Sequence, residues 1–426
     1  MGEREFSGIN RKLKNIYPQM SLMDTDGGPQ ADDGKKCESS EFKRRSAGGR
    51  WCGTRMSLID HQLSVNLMKH IFFRMNRMNN TPPRVSERYG ALDGLRTYAA
   101  IGIVLMHVLS NIGVKPTVNY LTGTLIPWFT DFTLMFMVVS GFSLCCGYYD
   151  RVKTGAITPN AFYKKRYMRI LPFFACLCLL DLAMSPSVDQ LFNLFANLTL
   201  CFTFIPNVQI PMIGVGWCLG LVFLFYLLFP FFVFMLDSKR RGWLSLVIAL
   251  VFAGLCTIHS YNVDVPVPKI GRTNIIYTMP LFMAGGMIYL YREKLKFKGV
   301  KQYLFLAICI VLTVLFFVFP EVRKNGFGAL VSEMVLFGAW LIYALGSKDL
   351  ILNNRVVRFI SSVSMEVYLC HMVMFRVVEK AHLERFITDG DILYALTCIL
   401  VIAGAVAFSW GFKKVERTPY LKSIIS

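Results

Sequence analysis

The sequence predicts an all-α, polytopic membrane protein: a bundle of about ten transmembrane helices with one interfacial or re-entrant segment. Three observations predict it. Hydrophobic residues make up 54% of the 426 positions and charged residues only 17%, with a mean hydropathy of +0.46, whereas soluble domains carry about a quarter charged residues. Apolar runs of membrane-spanning length recur from Leu92 onward. The net charge of +19 is gathered in short runs between those stretches, the pattern of the positive-inside rule. It is not spread over a hydrated face, as it is in nucleic-acid binders. An ordinary soluble enzyme and a nucleic-acid partner are both excluded.

Residues 1–88 differ from everything after them. They are polar, rich in Gly, Ser and Asp, and carry 16 Lys/Arg against 10 Asp/Glu, the composition of a largely disordered cytoplasmic extension. A start of translation at Met75 or Met78 would leave most of this stretch outside the working protein. Within it, the spacing of Leu58, His61, Leu63, Leu67, Ile71 and Arg74 predicts a short basic amphipathic helix over Met56–Met78, lying on the membrane surface. No apolar segment of a signal peptide follows Met1. Residues 89–426 form the membrane domain.

Eleven apolar runs follow, near 95–113, 124–147, 170–184, 188–206, 212–236, 243–259, 274–291, 302–319, 328–345, 357–376 and 391–412. Loop charges decide how many cross. If all eleven cross from a cytoplasmic N-terminus, 12 Lys/Arg fall inside and 16 outside, the reverse of the rule. If 188–206 does not cross, every later loop changes side and the division becomes 21 inside against 7 outside. The prediction is therefore ten spans, both termini cytoplasmic, and Asp189–Phe204 as an outer interfacial or re-entrant segment. Half-crossing backbone is tolerated only where protein or a cavity covers it, so this segment is expected beside the working site. Ten of the 12 cysteines lie beyond residue 100, mostly in apolar runs, and read as small hydrophobes rather than metal ligands.

Ionisable residues inside spans cost about 2.5–3.5 kcal/mol each on insertion scales and so mark sites. The first span holds four polar residues, Asp93, Arg96, His107 and Asn111, within about 60° of one another on a helix of about 100° per residue. Arg96 and His107 are nearly eclipsed but about 16 Å apart along the axis, so they read as two levels of one pathway. The plainer alternative is an Asp93/Arg96 capping pair and a separate buried histidine. In the penultimate span Glu366 and His371 are about 140° apart and do not share a face; His371 alone reads as a packing residue. Glu333 and Asp181 are further buried carboxyls to which the sequence gives no partner. Lys164, Lys165, Arg166 and Arg169 crowd the start of the third run, and Arg166 and Arg169 share a face. A guanidinium pair suits phosphate, and equally a topology-setting loop or anionic lipid.

Together these regions resemble the acyltransferase-3 family of integral-membrane O-acyltransferases. The resemblance is carried, in order, by RYGALDGLRTYAAIGIVLMH, with Arg96 and His107 in the family's Arg, ten residues, His pattern; FMVVSGFSL, with its SGF element; FYKKRYMRILPFF, with Arg166, Arg169 and Pro172 in its R-x-x-R and L-P; GWCLGLVFLFYLLFP; SMEVYLCHMV, its Y-L-x-H span; and VERTPY. The resemblance implies a bacterial plasma-membrane enzyme with no tightly bound cofactor. It would move an acyl group, above all acetyl, from a cytoplasmic acyl-CoA such as acetyl-CoA to a hydroxyl of an exported or cell-surface carbohydrate. It further implies that His107 is the general base with Arg96 as its partner, that Arg166 and Arg169 hold the donor's phosphates, and that other enzymes of glycan assembly cooperate. Two departures stand out. Many members carry a Glu where this chain has Val222, so that its role is either absent here or moved to another carboxyl such as Glu333, and many carry a fused esterase-like domain after the last span. A multi-pass transporter or flippase for a glycan precursor is the alternative; such carriers often show internal repeats, and none is found in the sequence.

Overall fold

The computed structural model describes residues 89–184, 186–204, 212–262, 271–323, 326–416 and 418. The expectations for residues 1–88, including the Met56–Met78 helix, lie outside them. Among the described residues there are no strands and twelve helices of eight residues or more: α1 (Ala91–Asn111), α2 (Phe132–Lys153), α3 (Pro159–Met184), α4 (Val188–Leu198), α5 (Gly216–Met235), α6 (Lys239–Asn262), α7 (Ile275–Leu295), α8 (Val300–Val318), α9 (Phe327–Gly346), α10 (Arg355–Ser362), α11 (Ser364–Glu379) and α12 (Gly390–Glu416). Short helical turns over Leu121–Asp131 lead directly into α2.

Each of the ten predicted spans has a helix. Among the described residues eight helices are long and apolar enough to cross a bilayer, and nine if the bent pair α10 and α11 is taken as one. The remaining one, α7, has the length at 21 residues, but Tyr, Gly and Pro along it and a closing Arg292–Glu293–Lys294 run dilute its apolar character. It is instead one of the most enclosed helices, with both neighbours α2 and α6 packed along it. The short α4 spans 11 residues, about 16 Å against a hydrocarbon core of about 30 Å, so it does not cross. Ser187 caps it by accepting a hydrogen bond from Gln190 N at 3.1 Å, and its Leu191, Phe192 and Phe195 are exposed.

The predicted span 357–376 is not one helix. It breaks at Val363 with a bend of 73° between α10 and the segment beginning at Ser364. α10 opens with an Asn354 cap on Val357 N at 2.8 Å and carries Arg355 and Arg358 in its sequence. It lies against the start of α1, where Thr97 Oγ1 donates to Val357 O at 2.9 Å and Ser361 Oγ donates to Asp93 Oδ1 at 2.9 Å.

The bundle closes most tightly where α2 meets α7. A Cβ at Gly141 would stand 2.4 Å from Phe282 O, and one at Gly285 only 2.1 Å from Val138 O. Small residues permit that backbone approach, the usual means of packing helices in lipid. The glycine of the SGF element is thus a packing residue. Around it Phe142, Phe225, Phe229, Phe232 and Phe282 are fully buried, with the Phe225 and Phe282 rings stacked at 3.7 Å.

Candidate active site

Between α1, α2, α3, α5 and the bent pair lies a cavity of about 320 Å³ lined by Arg96, Arg166 and Arg169, by Ser140, Ser143, Tyr148 and Tyr226, and by Cys218 and Tyr368. Each arginine is held by a different device. Arg96 Nη2 donates to Ser143 Oγ at 2.6 Å, while its Nη1 stands 3.8 Å from Asp93 Oδ1. Arg166 Nη2 donates to Tyr148 OH at 2.9 Å, and its guanidinium lies over the Tyr148 and Tyr226 rings at 4.8 and 5.6 Å, a cation–π cradle that leaves Nε buried and unpaired. Arg169 Nη1 donates to Glu366 Oε1 at 2.7 Å, and Lys413 Nζ stands 3.2 Å from the same oxygen. Four cations therefore surround two carboxylates, Asp93 and Glu366. The excess is positive, and the cavity suits an anion.

Deeper in the bundle α1 and α11 bring two histidines together. The His107 and His371 rings are 5.1 Å apart, tilted at 42°. His371 is fully buried, and its Nδ1 lies 2.7 Å from Tyr368 O, the carbonyl three residues earlier on its own helix. A carbonyl only accepts, so Nδ1 carries the proton. The Nε2 of His371 is buried and has no partner. The Tyr368 ring, which lines the cavity, lies 6.1 Å from the His371 ring. One aromatic ring thus stands between the cavity and His371. Tyr368 is itself fixed by its hydroxyl, which donates to Val215 O at 2.8 Å.

A second charged cluster adjoins this pair. Arg272, in the turn before α7, donates through Nη1 to Thr130 Oγ1 at 2.6 Å and to Asp131 Oδ1 at 3.1 Å. Its guanidinium stands 5.8 Å from the Trp217 ring, within electrostatic range of His107, Cys218 and Tyr368. Glu333 of α9 is 3% exposed and meets the Asp131 carboxyl. It does not stand in for a carboxylate at Val222, which lines the arginine cavity, because Glu333 is not among the cavity's lining residues. Asp181, the other unassigned carboxyl, stands 3.8 Å from Arg376 Nη1.

The structure brings Arg96, Arg166 and Arg169 to one cavity and leaves His107 outside its lining, beside His371. The two levels read from the first span are physically distinct places. The separation of Glu366 from His371 around the helix is also seen, and it has a consequence: Glu366 faces Arg169 and Lys413, and His371 faces His107. His371, read from sequence as packing, and Arg272, which the sequence did not single out, are the residues that sequence reasoning missed. A histidine in an apolar span was a visible signal for the first. Nothing in local sequence marked the second.

These features define a multi-pass membrane protein with an anion-suited cavity and, nearby, a pair of histidines of which His371 is fully buried. The model of the acyltransferase domain family matches residues 89–413, and the chain belongs to that family, acyltransferase 3, as a membrane acyltransferase. It is also 31% identical over 137 residues to "Protein 2 in picA locus" of Rhizobium radiobacter, a match covering 30% of this chain. The chain spans 65% of the length of that relative. No solved structure matches it.

Proposed function

We propose that the protein transfers an acyl group, most simply acetyl, from acyl-CoA to a hydroxyl of an exported or cell-surface carbohydrate. The observation that carries this reading is the cavity itself, lined by three arginines and by Tyr368, whose ring lies 6.1 Å from that of His371. A nucleotide-bearing thioester needs both features, cations for its phosphates and a proton acceptor near the reacting carbon at the end of a long arm. Arg166, with the part of its fork not held by Tyr148, and Arg169, beyond its bond to Glu366, would take the phosphates. His107 would take the acceptor's proton, since a neutral imidazole keeps a lone pair on one ring nitrogen. Arg96, tied to Ser143 at the cavity wall, would orient the donor and not touch His107. Loop charges, 21 inside against 7 outside for ten spans, support a cytoplasmic arginine end and an outward histidine end.

The test is turnover of radiolabelled acetyl-CoA by the purified protein in detergent, by hydrolysis or by transfer to added glycans. His107→Ala should abolish it with insertion and thermal stability intact. Undiminished turnover in that variant would overturn the assignment.

A further inference from the structure

We propose that His371 is a positioning residue for His107, selecting the imidazole tautomer that can act as a base. The proposal rests on the acyl-transfer reading above, and three observations carry it. The His371 ring is 0% exposed, so bulk water does not reach it. Its Nδ1–H is committed to Tyr368 O at 2.7 Å, which leaves a lone pair on Nε2. That Nε2 is buried with no partner among the described residues, and the His107 ring centroid stands 5.1 Å from that of His371. An unpaired acceptor in so dry a place costs about 1–3 kcal/mol unless it is used.

The use that chemistry offers is an N–H from His107. With His107 turned so that one ring nitrogen donates to His371 Nε2, its other nitrogen bears a lone pair and faces the acceptor. Apo geometry at such sites is commonly loose and tightens with substrate. The step then balances simply. The acceptor oxygen bonds to the acyl carbon as the carbon–sulfur bond breaks; the hydroxyl proton passes to the far nitrogen of His107; the thiolate leaves and takes that proton to become the free thiol. His371 exchanges no proton. It holds the tautomer and accepts the stronger hydrogen bond of the transient imidazolium, the task a carboxylate performs in hydrolase triads. The backbone carbonyl of Tyr368 serves here as the third member, fixing the orienting group.

Two amide variants separate this role from a structural one. His371→Asn can still donate to Tyr368 O in place of Nδ1–H but offers nothing where Nε2 stood. His371→Gln reaches the Nε2 position with an acceptor oxygen. The expected result with radiolabelled acetyl-CoA is a fall in kcat of about 100-fold or more for Asn, at a KM within threefold of wild type, and recovery of at least tenfold of that loss in Gln. Asn turning over like wild type would overturn the proposal and leave the His107 assignment standing; an active His107→Ala would remove the underlying reading instead. If either amide fails to insert, nitrogen NMR of histidine-labelled wild-type protein decides. His371 should be protonated at Nδ1 and His107 should show a single tautomer, and a mixture of tautomers at His107 would refute the role.

Discussion

Glu366→Gln should weaken the fold and tighten donor binding at once. The carboxylate is 2% exposed and holds Arg169 at 2.7 Å and Lys413 at 3.2 Å. At an effective dielectric of about 20 the two attractions are about 6 and 5 kcal/mol gross, offset by the cost of burying the charges. The partners lose differently when the charge goes. Arg169 has a side chain 42% exposed and regains water, whereas Lys413 at 14% does not. The net loss is therefore set near the low end for breaking a buried pair, about 3 kcal/mol. With an unfolding entropy of about 2.1 cal/mol/K per residue over the membrane part, that is a fall in Tm of about 4 °C. The same substitution removes a negative charge beside the anion cavity. At about 8 Å and a dielectric of about 40, one unit charge is worth about 1 kcal/mol, so the KM for acetyl-CoA should fall about fivefold. Intrinsic tryptophan fluorescence on heating reads the first effect in detergent, and donor titration of radiolabel release reads the second. A Tm unchanged to within about 1 °C, or a KM that rises, would refute the reasoning; a rise would mean that Glu366 supports the donor site and does not oppose it. Adding Lys413→Met should recover about 2 kcal/mol of the lost stability, because the stranded ammonium is then gone.

Other consequences are equally direct. Gly285→Leu should abolish folding, seen as loss of the monodisperse peak in detergent chromatography, because even a Cβ there would collide with Val138 O at 2.1 Å; a well-behaved variant would disprove the close α2–α7 packing. Arg166→Met should raise the KM for acetyl-CoA at least tenfold with little change in kcat, by losing about 1.5–3 kcal/mol of charge-assisted hydrogen bonding to phosphate, and an unaltered KM would remove Arg166 from the donor site. In the ten-span arrangement a cysteine introduced at Lys239 should react with a membrane-impermeant maleimide only after the cells are opened. Labelling in intact cells would invert everything after α4.

The broken penultimate span shows where reading by pattern stops. Hydropathy joined 357–376 because Val356, Val357, Phe359 and Ile360 lead straight into the apolar α11. What divides them is the contact of α10 with α1 through Thr97, Asp93 and Ser361, partners far away in sequence. By contrast, the failure of 188–206 to cross was legible beforehand from the loop charges, which divide 21 inside against 7 outside once that run is left out. The candidate site divides in the same way. Arg96, Arg166 and Arg169 were visible as clustered or buried charges, but that Arg169 is neutralised by Glu366, and that α10 and α11 close the cavity over them, was not.

The sequence by itself determined the all-α membrane class, the ten helical segments and the short one, and the stripe from Arg96 to His107, because bilayer thickness and helical period act on each segment separately. Tertiary structure alone decided which polar groups meet: His107 with His371, Arg272 with Asp131 and Glu333, Arg169 with Glu366 and Lys413. Such pairings depend on how far each helix is rotated about its axis and how closely its neighbours approach. In this bundle that is fixed by the backbone contacts at Gly141 and Gly285 and by the 73° bend at Val363, geometry that no single segment encodes.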